Sequence, residues 1–276
     1  MRTSIVIPVH NQLACTQICL AALDQTLPVA ETEIIVVDNG STDGTAAWLQ
    51  RQVGLRTNLL AIRSAANLGF AGGCNLGLAA ASGDGVVLLN NDAIVSPGWL
   101  QGLWAPLLQQ PALGMTGPVS NFVIREQVVA GPKRADWAAV SAYAAEIAQA
   151  HSGQGRPTER LSGFCLLIRR AVITRLGGLD PRFGLAYYED DDYCLRADLA
   201  GFGLWIAQDV YVHHLGQRTA TALGIADGRF DENWHRFRLK WGLPPDRPIE
   251  AGWRRSDILP RHRLAAKWYF PLPPVS

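Results

Sequence analysis

The sequence predicts an α/β fold built on a mostly parallel sheet, and three observations predict it. Short apolar runs rich in β-branched residues alternate with helical patterns from the N-terminus onward. That alternation and spacing suit βαβ units with right-handed crossovers. Several of these runs end in residues suited to turns, caps or ligands, as at Asp38-Asn39-Gly40-Ser41 and Asn90-Asn91-Asp92. In such sheets ligands bind outside the carboxyl ends of the strands. Finally, 276 residues that are 48% hydrophobic suffice for one large core, with room for an appendage.

The elements follow in order. Ser4–Val9 reads as a buried strand and His10–Gln12 as its loop. Thr16–Leu23 carries a helical stripe of Ile18, Leu20 and Leu23. Glu33–Val37 is a second buried strand, followed by a helix over Thr45–Val53 and a strand over Leu59–Arg63. Asn67–Gly77 is glycine-rich and reads as a turn entering a helix at Asn75–Ala81. Such a turn suits a phosphate, and it equally suits a structural bend. It carries no Gly-Lys-Ser/Thr and no GxGxxG, so it is neither a P-loop nor a dinucleotide fingerprint. Val86–Leu89 is a strand running into Asn90-Asn91-Asp92, which suits either a divalent cation or a turn. A helix over Pro97–Leu108 and a short strand over Gly114–Val119 follow.

Residues 121–160 are the least patterned, with one helix expected around Trp137–Gln149. Leu161–Arg170 reads as a strand and Ala171–Leu176 as a short helix. The turn cluster Gly177–Pro181 then feeds YYEDDDYCLR at Tyr187–Arg196. Its acids, Glu189 to Asp192, fall in the first turn of a predicted helix, where the dipole favours each by roughly 0.3–1 kcal/mol. A solvated helix start would look similar. The flanking tyrosines, however, imply partial burial, and crowded carboxylates raise one another's pKa, as a general base requires. Leu204–Ala207 and Val210–His214 read as two strands, the second ending in His213-His214.

From Asp227 onward the chain changes character. Basic residues outnumber acidic ones, four of the nine tryptophans (234, 241, 253, 268) are found there, and Phe230–Trp241 reads as a basic amphipathic helix. The expected division is therefore a main domain over 1–226 and an extension over 227–276 packed on it. Loose contact of that extension with a membrane surface is a second reading.

Composition narrows the function classes. A formal net charge of +1 gives no global field for nucleic acid. Five cysteines without a CxxC pair read as reduced, mostly buried thiols of a cytosolic protein. Neither a signal-peptide pattern nor an apolar run of about 18 residues appears, so no membrane span is expected.

Taken together, IVIPVHNQ, VVDNGSTDGT, NLGFAGGCN, LLNNDA, SGFCLLIRR, GGLDPRF, YYEDDDYCLR and VHHLG resemble glycosyltransferase family 2, in the family's order, from Ile5 to about Trp241. Within it they are most similar to the rhamnosyltransferase-like members that build bacterial surface polysaccharides. The resemblance implies the GT-A fold, a Rossmann-like mixed, mostly parallel sheet flanked by helices. It implies a nucleotide-sugar site at Pro8, Val9, Asn11, Asp38, Asn39, Ser41, Asn67, Gly69, Phe70, Asn75 and Asn91. It further implies a divalent cation, Mg²⁺ or Mn²⁺, at Asp92 and His214. Asp190 becomes the general base, with Glu189 and Asp192 supporting it or contacting the acceptor. The family's DxD element falls on Asn90-Asn91-Asp92, so the first acid is replaced by Asn90.

The implied enzyme is inverting. It would move a sugar such as rhamnose from a dTDP- or UDP-sugar to a hydroxyl of a glycan or lipid-linked acceptor, in the cytoplasm or at the inner face of the membrane. The alternatives are a non-catalytic nucleotide-sugar-binding scaffold, which Asn90 favours, and a nucleotidyltransferase, which the lack of Lys or Arg in NLGFAGGCN opposes. A dinucleotide oxidoreductase is opposed by VHNQLACT, which has no glycine.

Overall fold

In a computed structural model, which describes residues 1–123, 125–216, 228–258 and 268–274, the first strand is nearly all core. β1 (Thr3–Val9) is buried at every position but Pro8. It pairs in parallel with β2 (Thr32–Asn39) on one side and β4 (Gly85–Leu89) on the other. A strand buried on both faces needs apolar residues throughout rather than alternation, which is why SIVIPV and EIIVV read as runs. β3 (Leu59–Ser64) adds to β2 in parallel. β8 (Cys165–Arg169) runs antiparallel between β4 and β6 (Leu113–Val119). β9 (Gly203–Tyr211) is parallel to β6, and β7 (Gly155–Thr158) closes the edge antiparallel to β9. The order is β3-β2-β1-β4-β8-β6-β9-β7, a mixed and mostly parallel sheet as the resemblance implies. A two-stranded ladder of β5 (Ala93–Ile94) and β10 (His213–His214) stands beside it.

The described α-helices are α1 (Leu13–Thr26), α2 (Thr45–Val53), α3 (Gly69–Ala80), α4 (Trp99–Gln109), α5 (Trp137–Ala150), α6 (Arg170–Leu176), α7 (Glu189–Leu199) and α8 (Arg229–Trp241). Three expectations are corrected. The glycine-rich stretch is not a turn before a helix; from Gly69 it is the helix itself. Gly77 lies against Val6 of β1 and Gly73 against Pro8, so small residues there let the helix press onto the sheet. Residues 161–164 are a connection, and the strand begins at Cys165. The two late strands are one, β9. Its register with β6 jumps from Pro118–Ala207 to Val119–Tyr211, so Gln208, Asp209 and Val210 form a bulge rather than a break.

A second apolar cluster lies under the C-terminal extension. Phe183, Tyr188 and Leu195 pack with Trp234, Phe237, Trp241, Trp253 and Trp268. The tail is extended and tied down: Phe270 accepts from Gly178 N–H and donates to the Leu176 carbonyl. All five cysteines are buried, and none forms a disulfide. No helix among the described residues is long and apolar enough to cross a membrane.

Candidate active site

A cavity of about 970 Å³ opens at the carboxyl ends of β1, β2 and β4. Of the residues expected at the site, Pro8, Val9, Asn39, Asn67, Gly69, Phe70, Asn91, Asp92, Glu189, Asp190 and His214 line it. Asn11, Asp38, Ser41, Asn75 and Asp192 do not, and each has a structural task instead.

Asn11 and Ser41 stitch the first two strand ends together. Asn11 N–H donates to Ser41 Oγ at 2.8 Å, and Asn11 Oδ1 accepts from Thr42 and Asp43 N–H. Asn11 holds a left-handed backbone, φ 57°, a conformation that Asn tolerates better than most residues. Asp38 is buried behind the lining. Its Oδ1 accepts from Ser41 N–H, while Oδ2 has no hydrogen-bond partner and faces the exposed Arg63 at 3.7 Å. Asn75 clamps Leu179, donating to its carbonyl and accepting from its N–H, both at 2.8 Å.

Asn39 fixes the glycine-rich wall. It donates to the Gly69 carbonyl and to Asn67 Oδ1, and accepts from Leu68 N–H. Gly69 is required where it stands. Its φ is 74°, and a Cβ there would overlap the Gly184 carbonyl of the opposite loop. Phe70 N–H then donates to the Leu185 carbonyl, closing that side.

At the end of β4, His214 Nε2 lies 3.1 Å from Asp92 Oδ1. His214 Nδ1 is 2.7 Å from the Phe122 carbonyl, an acceptor only, so Nδ1 carries a proton and Nε2 is aimed at Asp92. The imidazole stacks on Phe164, with centroids 5.0 Å apart. Burial pulls the His214 pKa down, but its hydrogen bonds to Asp92 and Phe122 outweigh that and the net shift is upward. A carboxylate oxygen and a pre-oriented imidazole nitrogen converging on the cavity form a donor set that fits a divalent cation. No cluster of three or more His, Cys, Asp or Glu suited to a metal occurs among the described residues, so water or phosphate oxygens would complete the shell. The cavity takes His214 and not His213, whose Nδ1 meets the Tyr211 hydroxyl.

The acids do begin a helix, and its N-terminus is unusual. Tyr187 and Tyr188 both hold positive φ, 76° and 72°, immediately before Glu189. Asn233 of α8 holds that loop by donating to the carbonyls of Phe183, Ala186 and Tyr187. The four acids then divide. Glu189 is buried with Oε2 lacking a hydrogen-bond partner; burial, and next the Asp190 charge, raise its pKa well above the usual range. Asp190 faces the cleft, accepting from Gly163 N–H at 2.9 Å and Asp191 N–H at 2.8 Å. Burial and the Asp191 charge push its pKa up to about 6 despite those bonds.

Asp191 and Asp192 serve the extension. Asp191 accepts from Trp253 Nε1 at 2.9 Å. Asp192, expected at the reaction centre, is wholly buried away from the cavity. It is paired with Arg196 at 2.9 Å and Lys240 at 2.5 Å and accepts from Trp241 Nε1. Sequence reasoning missed Phe122, Arg156 and Arg160 in the lining, because they lie in the least patterned region, 121–160, and Phe164, because it read as part of a buried strand.

A nucleotide-sized cleft at the strand ends of a mixed α/β sheet, with an oxygen–nitrogen donor pair on one wall and a base-like carboxylate on another, defines a group-transfer enzyme of the nucleotide-sugar type. The chain matches the family model Glycosyl transferase family 2 over residues 4–176. It belongs to that family and is a glycosyltransferase. Among curated relatives it is 29% identical over 253 residues to the N-acetylglucosaminyl-diphospho-decaprenol L-rhamnosyltransferase of Mycobacterium tuberculosis, covering 76% of this chain and 79% of that protein. The fold matches the mannosyltransferase PcManGT of Pyrobaculum calidifontis, solved with GDP-Man and Mn²⁺, at a TM-score of 0.64 and 20% identity, over 90% of this chain and 66% of that one. It also matches S. aureus TarS 1-349 in complex with UDP-GlcNAc at a TM-score of 0.63 and 16% identity, over 95% and 69%. These likenesses bear out the GT-A architecture.

Proposed function

We propose that this chain is an inverting, cation-assisted transferase acting at the cytoplasmic face of a membrane. It takes a sugar from a dTDP- or UDP-sugar and places it on a hydroxyl of a lipid-linked glycan. The name of the M. tuberculosis relative makes L-rhamnose on a sugar-diphospho-lipid the specific case to test. The observation that carries the reading is Asp190: a carboxylate in the cleft wall, held by Gly163 N–H, with its pKa raised to about 6.

An acceptor hydroxyl is a poor nucleophile until a base removes its proton. Asp190 takes that proton as the acceptor oxygen bonds to the anomeric carbon. The bond from that carbon to the diphosphate oxygen breaks on the opposite face, so the configuration inverts and the nucleoside diphosphate leaves with the electron pair. Asp92 and His214 would hold the cation, whose charge offsets what develops on the departing diphosphate. Asn90 in place of an acid strengthens the non-catalytic reading little, since Asp92, His214 and Asp190 all line the cleft.

Calorimetric titration of UDP and dTDP, with Mn²⁺ or Mg²⁺ and then EDTA, tests this. Cation-dependent binding of one of them is expected. Absence of binding by both would overturn the donor assignment.

A further inference from the structure

Besides the residues assigned to the donor, the cleft has a basic wall. β7 supplies Arg156, the connection from β7 to β8 supplies Arg160, and the extension supplies Arg254 and Arg255; all four line the cavity. β1 and β7 are five strand spacings apart in the sheet, roughly 24 Å. Arg156 therefore stands far along the sheet from the ends of β1 and β2, and Arg160, Arg254 and Arg255 line the same cavity from segments outside the elements assigned to the nucleotide.

Three of them already have acidic neighbours. Arg156 pairs with Glu126 at 3.3 Å and Arg255 with Asp198 at 2.9 Å, while Arg160 Nε stands 3.7 Å from Asp191. Arg254 is exposed and makes no ion pair among the described residues. Arg160 is the distinctive member. Its guanidinium lies 4.1 Å over the ring of Trp253, and one terminal nitrogen is buried with no hydrogen-bond partner among the described residues. A guanidinium stacked on an indole keeps its in-plane N–H groups for an oxyanion. A buried donor left unmatched is costly, and an incoming phosphate oxygen would satisfy it. Arg160 is also three residues from Gly163, whose N–H holds Asp190.

We infer that Arg160, with Arg156, Arg254 and Arg255 around it, holds the phosphate or diphosphate of an anionic acceptor, whose hydroxyl then reaches Asp190. This rests on the transferase reading above and names the charged group by which the acceptor is recognised.

The test titrates dihexyl diphosphate, a diester without nucleoside or sugar, into protein saturated with UDP and Mg²⁺. Arg160→Gln is expected to weaken its binding at least about tenfold, the loss of one charge-assisted hydrogen bond. Arg254→Ala, at an exposed position, is expected to weaken it less. UDP affinity should be unchanged in both, which reports an intact fold. Equal diphosphate affinity in wild type and both variants would overturn the inference. If UDP fails to bind the wild type, the donor assignment falls, and the same titration on nucleotide-free protein still decides the arginine site. Co-sedimentation with phosphatidylglycerol vesicles separates the sources of phosphate. Vesicle binding should be the same for wild type and Arg160→Gln. Joint loss of vesicle and diphosphate binding would assign the arginines to a lipid surface and overturn the acceptor anchor.

Discussion

Asn233 donates its side-chain amide to the Tyr187 carbonyl at 3.1 Å, from a helix of the C-terminal extension to the residue two before the acidic helix. The same amide serves the carbonyls of Phe183 and Ala186. Tyr187 and Tyr188 hold left-handed backbone that a bulky residue rarely adopts unaided. The extension therefore sets the direction in which Glu189 and Asp190 enter the cleft. Asn233→Ala leaves three carbonyls without this donor, at a cost of about 1–3 kcal/mol. At roughly 2–4 °C per kcal/mol, thermal unfolding should shift down by several degrees. Turnover should fall while UDP affinity holds. A variant with wild-type kcat would separate the loop from catalysis.

Asp190→Asn keeps an acceptor for Gly163 N–H but cannot take a proton. Turnover should fall by about 10²–10⁴, with nucleotide affinity preserved. The pH profile follows in sign. Burial and the Asp191 charge raise the Asp190 pKa to about 6, so the folded protein binds this proton more tightly than the unfolded chain does. Acidification therefore favours the folded state at this group but removes the base. The acid limb of kcat/KM should fall below about pH 6, tenfold per unit, reporting the Glu189–Asp190 pair jointly. An acid limb that survives unchanged in Asp190→Asn would move the base elsewhere.

Much of this was legible in the sequence, for physical reasons that differ by region. Strands buried on both faces announce themselves as apolar runs, so β1, β2 and β4 and the ends that build the cleft could be read. Of the helix over Gly69–Ala80 only the part from Asn75 could be read, because the glycines before it argue against helix on propensity, and Gly73 and Gly77 are there for contact with Pro8 and Val6. Four consecutive acids look alike in sequence. Only the packing of Trp241, Trp253 and Lys240 shows that Asp192 is turned wholly to the extension and that Asp191, though it also lines the cleft, bonds Trp253, while Asp190 faces the cleft. Arg160 carried no signal, since its role depends on a tryptophan far along the chain.

The Asp92–His214 pair predicts how nucleotide binding responds to cation removal. With both donors in place, EDTA should weaken UDP or dTDP binding. In Asp92→Asn the cation loses its carboxylate, and affinity with Mn²⁺ should drop toward the EDTA value. His214→Ala should show the same convergence. Titrations in which Asp92→Asn remains as sensitive to EDTA as the wild type would place the cation elsewhere.

Asp192 predicts a loss of stability without a loss of recognition. Its carboxylate is fully buried, and Arg196, Lys240 and Trp241 all point at it. Removing one member of a buried ion pair leaves the other charges uncompensated, a cost of about 3–5 kcal/mol. Asp192→Ala should therefore unfold at a temperature many degrees lower. Below that transition it should bind UDP as the wild type does, because the residue does not line the cleft. Thermal scans and calorimetry on the same preparation decide it. Wild-type stability combined with lost turnover would return Asp192 to the reaction centre, whereas the joint result expected here makes it the anchor of the acidic helix on the C-terminal extension.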